Sequence, residues 1–200
     1  MNVIFPTAYF GSISYFQQLA QFDSVAIEIY DHFPKQTLRN RTEIIGAQGR
    51  MRLSMPVIRP NGSKSFTHEI STSEENWQII HWRSIISAYA SAPYFEHYES
   101  DIKRLIFQKN RSLVEFNTEI TRFIISIWEL KTQIETTLEY ISPSEIHSEV
   151  DFRSFNFETI SSLNDEKYQQ VLFTNTQFHS NASVLDLLFC EGPMGRKFLL

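Results

Sequence analysis

The chain opens on a short apolar run, NVIFP, that ends at Pro6 and predicts a buried strand. After Gly11, SISYFQQLAQF places Ile13, Phe16, Leu19 and Ala20 at helical spacing, with Ser12 available as a cap. SVAIEIY then alternates and is rich in β-branched residues, which predicts a second strand. Strand, helix and strand within about thirty residues is the length of a parallel βαβ unit. A hairpin follows, with RTEII and RMRLSMPVI on either side of a turn marked by Gly46 and Gly49. Met51, Leu53, Met55 and Val57 alternate with Arg50, Arg52 and Ser54, so the apolar set faces the core and the arginines face away. The polar loop RPNGSKS leads to FTHEIST, which predicts one more strand.

From there the pattern is mainly helical. Residues 74–90, 95–108 and 112–134 predict three helices, the first opened by Thr72 and Glu75 at capping-box spacing. The third carries Leu113, Phe116, Ile120, Phe123, Ile124 and Ile127 on one stripe, interrupted by Asn117. Residues 142–166 are polar with Phe152, Phe155 and Phe157 scattered among them, and predict a loop wrapped on the surface. KYQQVLF is a candidate late strand, and SVLDLLFCEGP a closing helix stopped by Gly192 and Pro193. The expected fold class is α/β: an N-terminal βαβ-type sheet with a hairpin, then a mainly helical C-terminal half packed on it, as one domain over residues 1–200.

The helix over 74–90 has apolar residues on two sides. Ile79, Trp82, Ile85, Ile86 and Tyr89 share one arc, while Trp77, His81, Ser84 and Ala88 lie roughly opposite. One side meets the core. The other is expected to meet a second layer, a partner or a ligand.

Composition narrows the classes. Hydrophobic residues make up 42% and charged residues 20%, ordinary for a globular chain, and 17 Phe predict a core or cleft built from rings. A net charge of −5 argues against general nucleic-acid binding, which needs a basic face. The single cysteine, Cys190, excludes an internal disulfide and a thiolate cluster for zinc. The start has no basic n-region, and the longest apolar helix carries Glu115, Glu119, Arg122 and Glu129, so neither a signal peptide nor a membrane span is expected. A cytoplasmic protein is the expectation.

Against that acidic background, Lys35, Arg39, Arg41, Arg50 and Arg52 cluster on the turn and strand. Two guanidinium forks on one face suit phosphate or carboxylate, and a solvated hairpin balanced by Glu28, Asp31 and Glu43 accounts for the same residues. His81 can act as acid, base or donor, or can pack beside Trp77 with its ring bonded to the backbone. Asn117 and Asp186 sit within apolar stretches, and if buried they require partners. The chain has no glycine-rich phosphate loop, no HExxH, no GxSxG, and no histidine pair at helical metal spacing. Cys190 fits packing better than reactivity. Nothing here names a cofactor or a metal.

Taken in order, FPTAYFGSISYF, YDHFPKQTLRNRTEI, RLSMPV, NWQIIHWRSIISAYASAPYFEHYESD, KYQQVLF and NASVLDLLFCEGP resemble the WbqC-like family of bacterial proteins, over almost the whole chain. KQTLRNR together with HWRSI, AY and PYFEHYE is the specific part. The first turn departs from the family in lacking a glutamine and a second proline around the tyrosine, and residues 142–166 are short. Asp186 matches the family's C-terminal aspartate, and Tyr168 with Gln170 its Y-x-Q pattern. The resemblance implies a shared site of Lys35, Arg39, Asn40, Arg41, Trp77, His81, Tyr89 and Tyr94, with Asp186, and a role in bacterial surface-polysaccharide (O-antigen-type) biosynthesis.

By analogy with nucleotide-binding α/β sheets, whose ligands sit beyond the carboxyl ends of the strands, Tyr9, Phe10, the 31–41 loop and His81 are expected around one crevice. The functional expectation is a transferase-like enzyme acting on a small anionic, nucleotide- or acyl-linked metabolite. In it the cations grip the anion, Asn40 orients the substrate, His81 handles a proton, and Trp77, Tyr89 and Tyr94 form walls. The alternative is a non-catalytic accessory protein that docks on a biosynthetic partner through the second aromatic side of that helix, the side of Trp77 and His81, or that forms a homo-oligomer.

Overall fold

The computed structural model describes residues 3–108, 112–145, 150–157, 166–171 and 178–200. Its opening segment is the βαβ unit that the pattern predicts. Strand β1 (Ile4–Pro6) is followed by helix α1 (Ile13–Leu19), whose cap Ser12 accepts from the Tyr15 amide, and then by strand β2 (Ser24–Glu28). β2 returns parallel to β1, with Ile4 opposite Ala26 and Pro6 opposite Glu28. The hairpin forms from β3 (Arg41–Gly46) and β4 (Gly49–Ser54), with Gly49 at φ 101° closing the turn. Ile44 faces Met51 and Thr42 faces Leu53 across the ladder, while Arg50 and Arg52 lie on the outer face.

FTHEIST is not a full strand. Val57–Ile58 (β5) pairs with only Ser71–Thr72 (β6), and Thr67–Glu69 is a 3-10 turn in which Glu69 accepts from the Phe66 amide. Thr72 therefore cannot cap the next helix. Helix α2 runs Trp77–Tyr89 from Asn76, and α3 follows over Phe95–Ile106. Helix α4 covers Leu113–Ile127, capped by Ser112, and stops seven residues short of the expected end. Glu129 adopts φ 47° there and turns the chain out of the helix. The freed segment becomes β7 (Gln133–Thr136), which joins β2 in parallel to give the order β1-β2-β7. The helical half thus contributes to the sheet as well as packing on it.

The phenylalanine-bearing stretch is not a surface wrap over its described part. Asp151 bridges Ile4 in parallel, and the Phe152 amide donates to the Ile4 carbonyl at 2.8 Å, so the segment extends the β1 edge. Phe152 stacks on Phe5 at 4.4 Å between centroids, and Phe157 packs on Phe5 and Tyr15. Residues 167–171 of KYQQVLF carry no strand, and Leu172 and Phe173 lie outside the described residues. Helix α5 (Val184–Glu191) ends at Gly192, φ 53°, beside the Tyr94 ring. No helix among the described residues is long and apolar enough to cross a membrane.

If Phe152 belongs to the core, Phe152→Ala should cost about 3–5 kcal/mol in urea unfolding, as for a buried ring. A loss of under about 1 kcal/mol, typical of a surface change, would refute this placement.

Candidate active site

The parallel strands all point their carboxyl ends at one hollow. Past β1, the Tyr9 amide donates to the Leu38 carbonyl; past β2 comes Asp31, past β7 Tyr140, and past the Asp151 bridge Arg153. These segments enclose a cavity of about 550 Å³. Arg39 and Asp31 form one wall, Arg153 and Asp151 the other, and Tyr140, Phe155 and Phe157 supply ring surface. Two arginines and two aspartates leave the lining formally balanced, so it suits a ligand with both an anionic group and hydrogen-bonding groups.

Both arginines are held by carboxylates. Arg39 is 2% exposed, and its Nη2 donates to Asp31 Oδ2 at 2.7 Å. Thr67 donates to the other oxygen of Asp31. Burial pulls the Arg39 guanidinium below its ordinary value, and Asp31 opposes that pull. Its buried Nε has no protein partner. Arg153 donates from Nε and Nη2 to the two oxygens of Asp151, at 2.8 and 2.6 Å, and from Nη1 to the Ile141 carbonyl at 2.6 Å. The same Nη1 reaches Glu28 Oε2 at 3.3 Å. Glu28, fully buried, also accepts from the Tyr30 amide and the Thr137 hydroxyl. The Arg153 guanidinium holds the Asp151 carboxyl below its usual range.

The residues expected around one crevice are distributed differently. Arg39 lines the cavity, whereas Lys35 is exposed on its flank and is not among the lining residues. Asn40 is buried and donates to the Met55 carbonyl at 2.8 Å, a structural tie within the hairpin base. Arg41 lies in a separate small crevice with Ser12 and Asn181. Arg50 and Arg52 fit the solvated-hairpin account, each paired with Glu43.

Tyr9, Phe10, Trp77 and His81 form an aromatic cluster away from the cavity. Tyr9 and Trp77 pack edge to face, and the Tyr9 hydroxyl shares a 2.8 Å hydrogen bond with His81 Nδ1. Phe10, at φ 42°, offers its carbonyl to Thr42 and Ser183. The Trp77 side of α2 is therefore a buried face of this protein; Ile79 and Ile80 are its exposed apolar residues, at 41% and 63%. Arg39 and His81 line different hollows, the latter with Ser54 and Asn76. Burial lowers the His81 pKa to about 4, against a raising hydrogen bond to the Ser54 backbone, so the ring is neutral near pH 7.

Tyr89 is fully buried, and its hydroxyl accepts from the Ile45 amide at 3.1 Å. Tyr94 precedes α3 and packs against Gly192. Asp186 is fully buried and accepts from the Tyr168 hydroxyl and from Gln170 Nε2, so its partners are neutral groups and not an arginine of the basic patch. Burial raises the Asp186 carboxyl. Asn117 finds its partner in the Arg39 carbonyl, at 2.8 Å. Sequence reasoning missed Arg153, Asp151, Tyr140 and His32. The D-x-R spacing in an extended segment, which places both side chains on one face, is the signal that could have found the first two.

A pH effect follows from His81. Its folded pKa lies below the ordinary value, so the unfolded chain binds the extra proton; the stabilisation is complete above about pH 6.5 and lost as pH falls towards about 4. His81→Gln should flatten that decline in urea unfolding across the window. Asp186 contributes with the opposite sign, equally in both proteins. An unchanged slope in the variant would contradict the assignment.

The WbqC-like protein family model matches residues 7–151, which takes in the Asp31–Arg39 wall and reaches Asp151 but stops before Arg153 and α5. No curated protein and no solved structure matches the chain. The match spans well over half of the sequence, and the chain belongs to the WbqC-like protein family.

Proposed function

We propose that this protein is a transferase-like enzyme of bacterial surface-polysaccharide or related metabolite biosynthesis, and that its substrate is an anionic nucleotide- or acyl-linked metabolite bound in the cavity beyond β1, β2 and β7. One observation supports the reading: an arginine buried to 2% exposure and paired with Asp31 lines the cavity together with the Arg153–Asp151 pair, so two guanidinium groups held by carboxylates border one hollow. Guanidinium groups preorganised in this way suit bidentate recognition of phosphate or carboxylate. Family membership supports the same class. The mixture of ring surface, amides and carboxylates favours a nucleotide-linked sugar within that range, since hydroxyls and a phosphate need both kinds of partner.

Isothermal titration with UDP-glucose, acetyl-coenzyme A and inorganic phosphate tests it. At least one should bind, and Arg39→Lys, which keeps the charge but loses the planar fork, should weaken that binding by roughly tenfold. Absence of binding by all three, or unaltered affinity in the variant, would count against the proposal.

A second reading, docking on a partner or a second copy, is favoured by Ile79 and Ile80 on the open side of α2. If copies pair there, sedimentation should show a concentration-dependent dimer that Ile80→Lys abolishes. A monomer at all concentrations would remove the self-pairing form of this reading.

A further inference from the structure

We infer that His32 is the proton-accepting group of the cavity and contacts the bound metabolite directly. The inference rests on the reading that the cavity binds such a metabolite. His32 lines the hollow next to Asp31 and is solvent-exposed. Its Nδ1 lies 3.2 Å from the Lys64 carbonyl, which can only accept, so Nδ1 carries a hydrogen and the lone pair of the neutral ring is on Nε2. The ring is stacked on Phe66, with centroids 4.7 Å apart and planes 13° from parallel. Backbone pairing holds the two segments together: the Phe33 amide donates to the Ser65 carbonyl, and Thr67 to that of Asp31. An imidazole fixed by a carbonyl and a ring face is preorganised, with one nitrogen free.

The other groups of the cavity cannot serve as well. Asp151 is engaged on both oxygens by Arg153, which favours its ionised, weakly basic form. Asp31 is engaged on both oxygens by Arg39 and Thr67. His81, the histidine that the α2 pattern singles out, is 3% exposed, bonded to Tyr9, and lines a different hollow. His32 thus takes the role that the helix pattern suggested for His81. In the step assigned to it, a ligand O–H or N–H hydrogen-bonds to Nε2 and passes its proton there. The heteroatom keeps the electron pair and becomes the nucleophile, and the ring becomes an imidazolium.

The test joins chemical modification to binding, on the full chain. Diethyl pyrocarbonate acylates an accessible, unprotonated imidazole nitrogen, and mapping by mass spectrometry should find His32 modified at least about tenfold faster than His81. Whichever of UDP-glucose, acetyl-coenzyme A or inorganic phosphate binds should protect His32 but leave His68, beyond Phe66, reactive. His32→Phe, which keeps a ring to stack on Phe66 but has no acceptor nitrogen, should weaken binding of that probe by roughly tenfold. Asp31 and Arg39 on the same segment, Lys64 and His68 on the turns behind it, and Asp151 and Arg153 across the cavity are common to both proteins, so the difference isolates His32.

If none of the probes binds, the reading of the cavity falls and this inference with it. If a probe binds through Arg39 yet His32 is unreactive or unprotected, or His32→Phe keeps the wild-type affinity, the inference alone is overturned.

Discussion

A guanidinium shielded from water as thoroughly as that of Arg39 must be met by a counter-charge, and the Asp31–Arg39 pair determines how the segment between β2 and β3 is laid down. Asp31 accepts from Arg39 and Thr67, and the Arg39 carbonyl accepts from Asn117 in the middle of α4. One side chain and its own peptide thereby join the sheet, the turn before β6 and the longest helix. The neighbouring residues follow: Leu38 takes the Tyr9 amide, and Asn40 bonds to both the amide and the carbonyl of Met55 at the start of the chain leaving the hairpin. Without the pair, the wall of the cavity on this side loses the ion pair that fixes it.

The second buried network, Glu28 with Arg153 and Asp151, follows the same physics. Desolvating several ionised groups costs as much as their attraction returns, so such networks are weak contributors to stability compared with well-packed apolar residues. The chain meanwhile has ample apolar packing elsewhere, in the Phe5, Phe152 and Phe157 stack and in the Tyr9, Trp77 and Phe116 cluster. Charges buried at the sheet's carboxyl end, next to a cavity, suit recognition better than support.

The local patterns were readable wherever one face of an element is buried and the other is not. The βαβ unit, the hairpin and α3 and α4 follow from their spacings. β7 did not, because among Gln133, Ile134, Glu135 and Thr136 only Ile134 is buried, and the preceding helical stripe runs up to it without a glycine or proline. The break comes from a non-glycine residue, Glu129, at positive φ, which sequence rarely announces. In α2 the two apolar arcs were visible, but that the protein buries both, with Trp82, Ile85 and Tyr89 on one and Trp77, His81 and Ala88 on the other, depends on Tyr9, Phe116 and Phe189, far away in sequence. For the site, Arg39 was legible as a cation near the sheet. Its counterpart wall was not: Arg153 contacts Glu28 across a separation of 125 residues, and no local spacing encodes that.

That separation has a bearing on how the hollow comes into being during folding. β1, α1 and β2 are close in sequence and can associate early, but the edge beside β1 is completed by residues near 151, and the floor by Arg153 reaching Glu28. Closing so long a loop costs entropy, which the insertion of Phe152 and Phe157 against Phe5 helps to offset. A species that orders only the N-terminal unit therefore has no complete chamber. A nascent chain still lacking these residues would have one wall and no pocket.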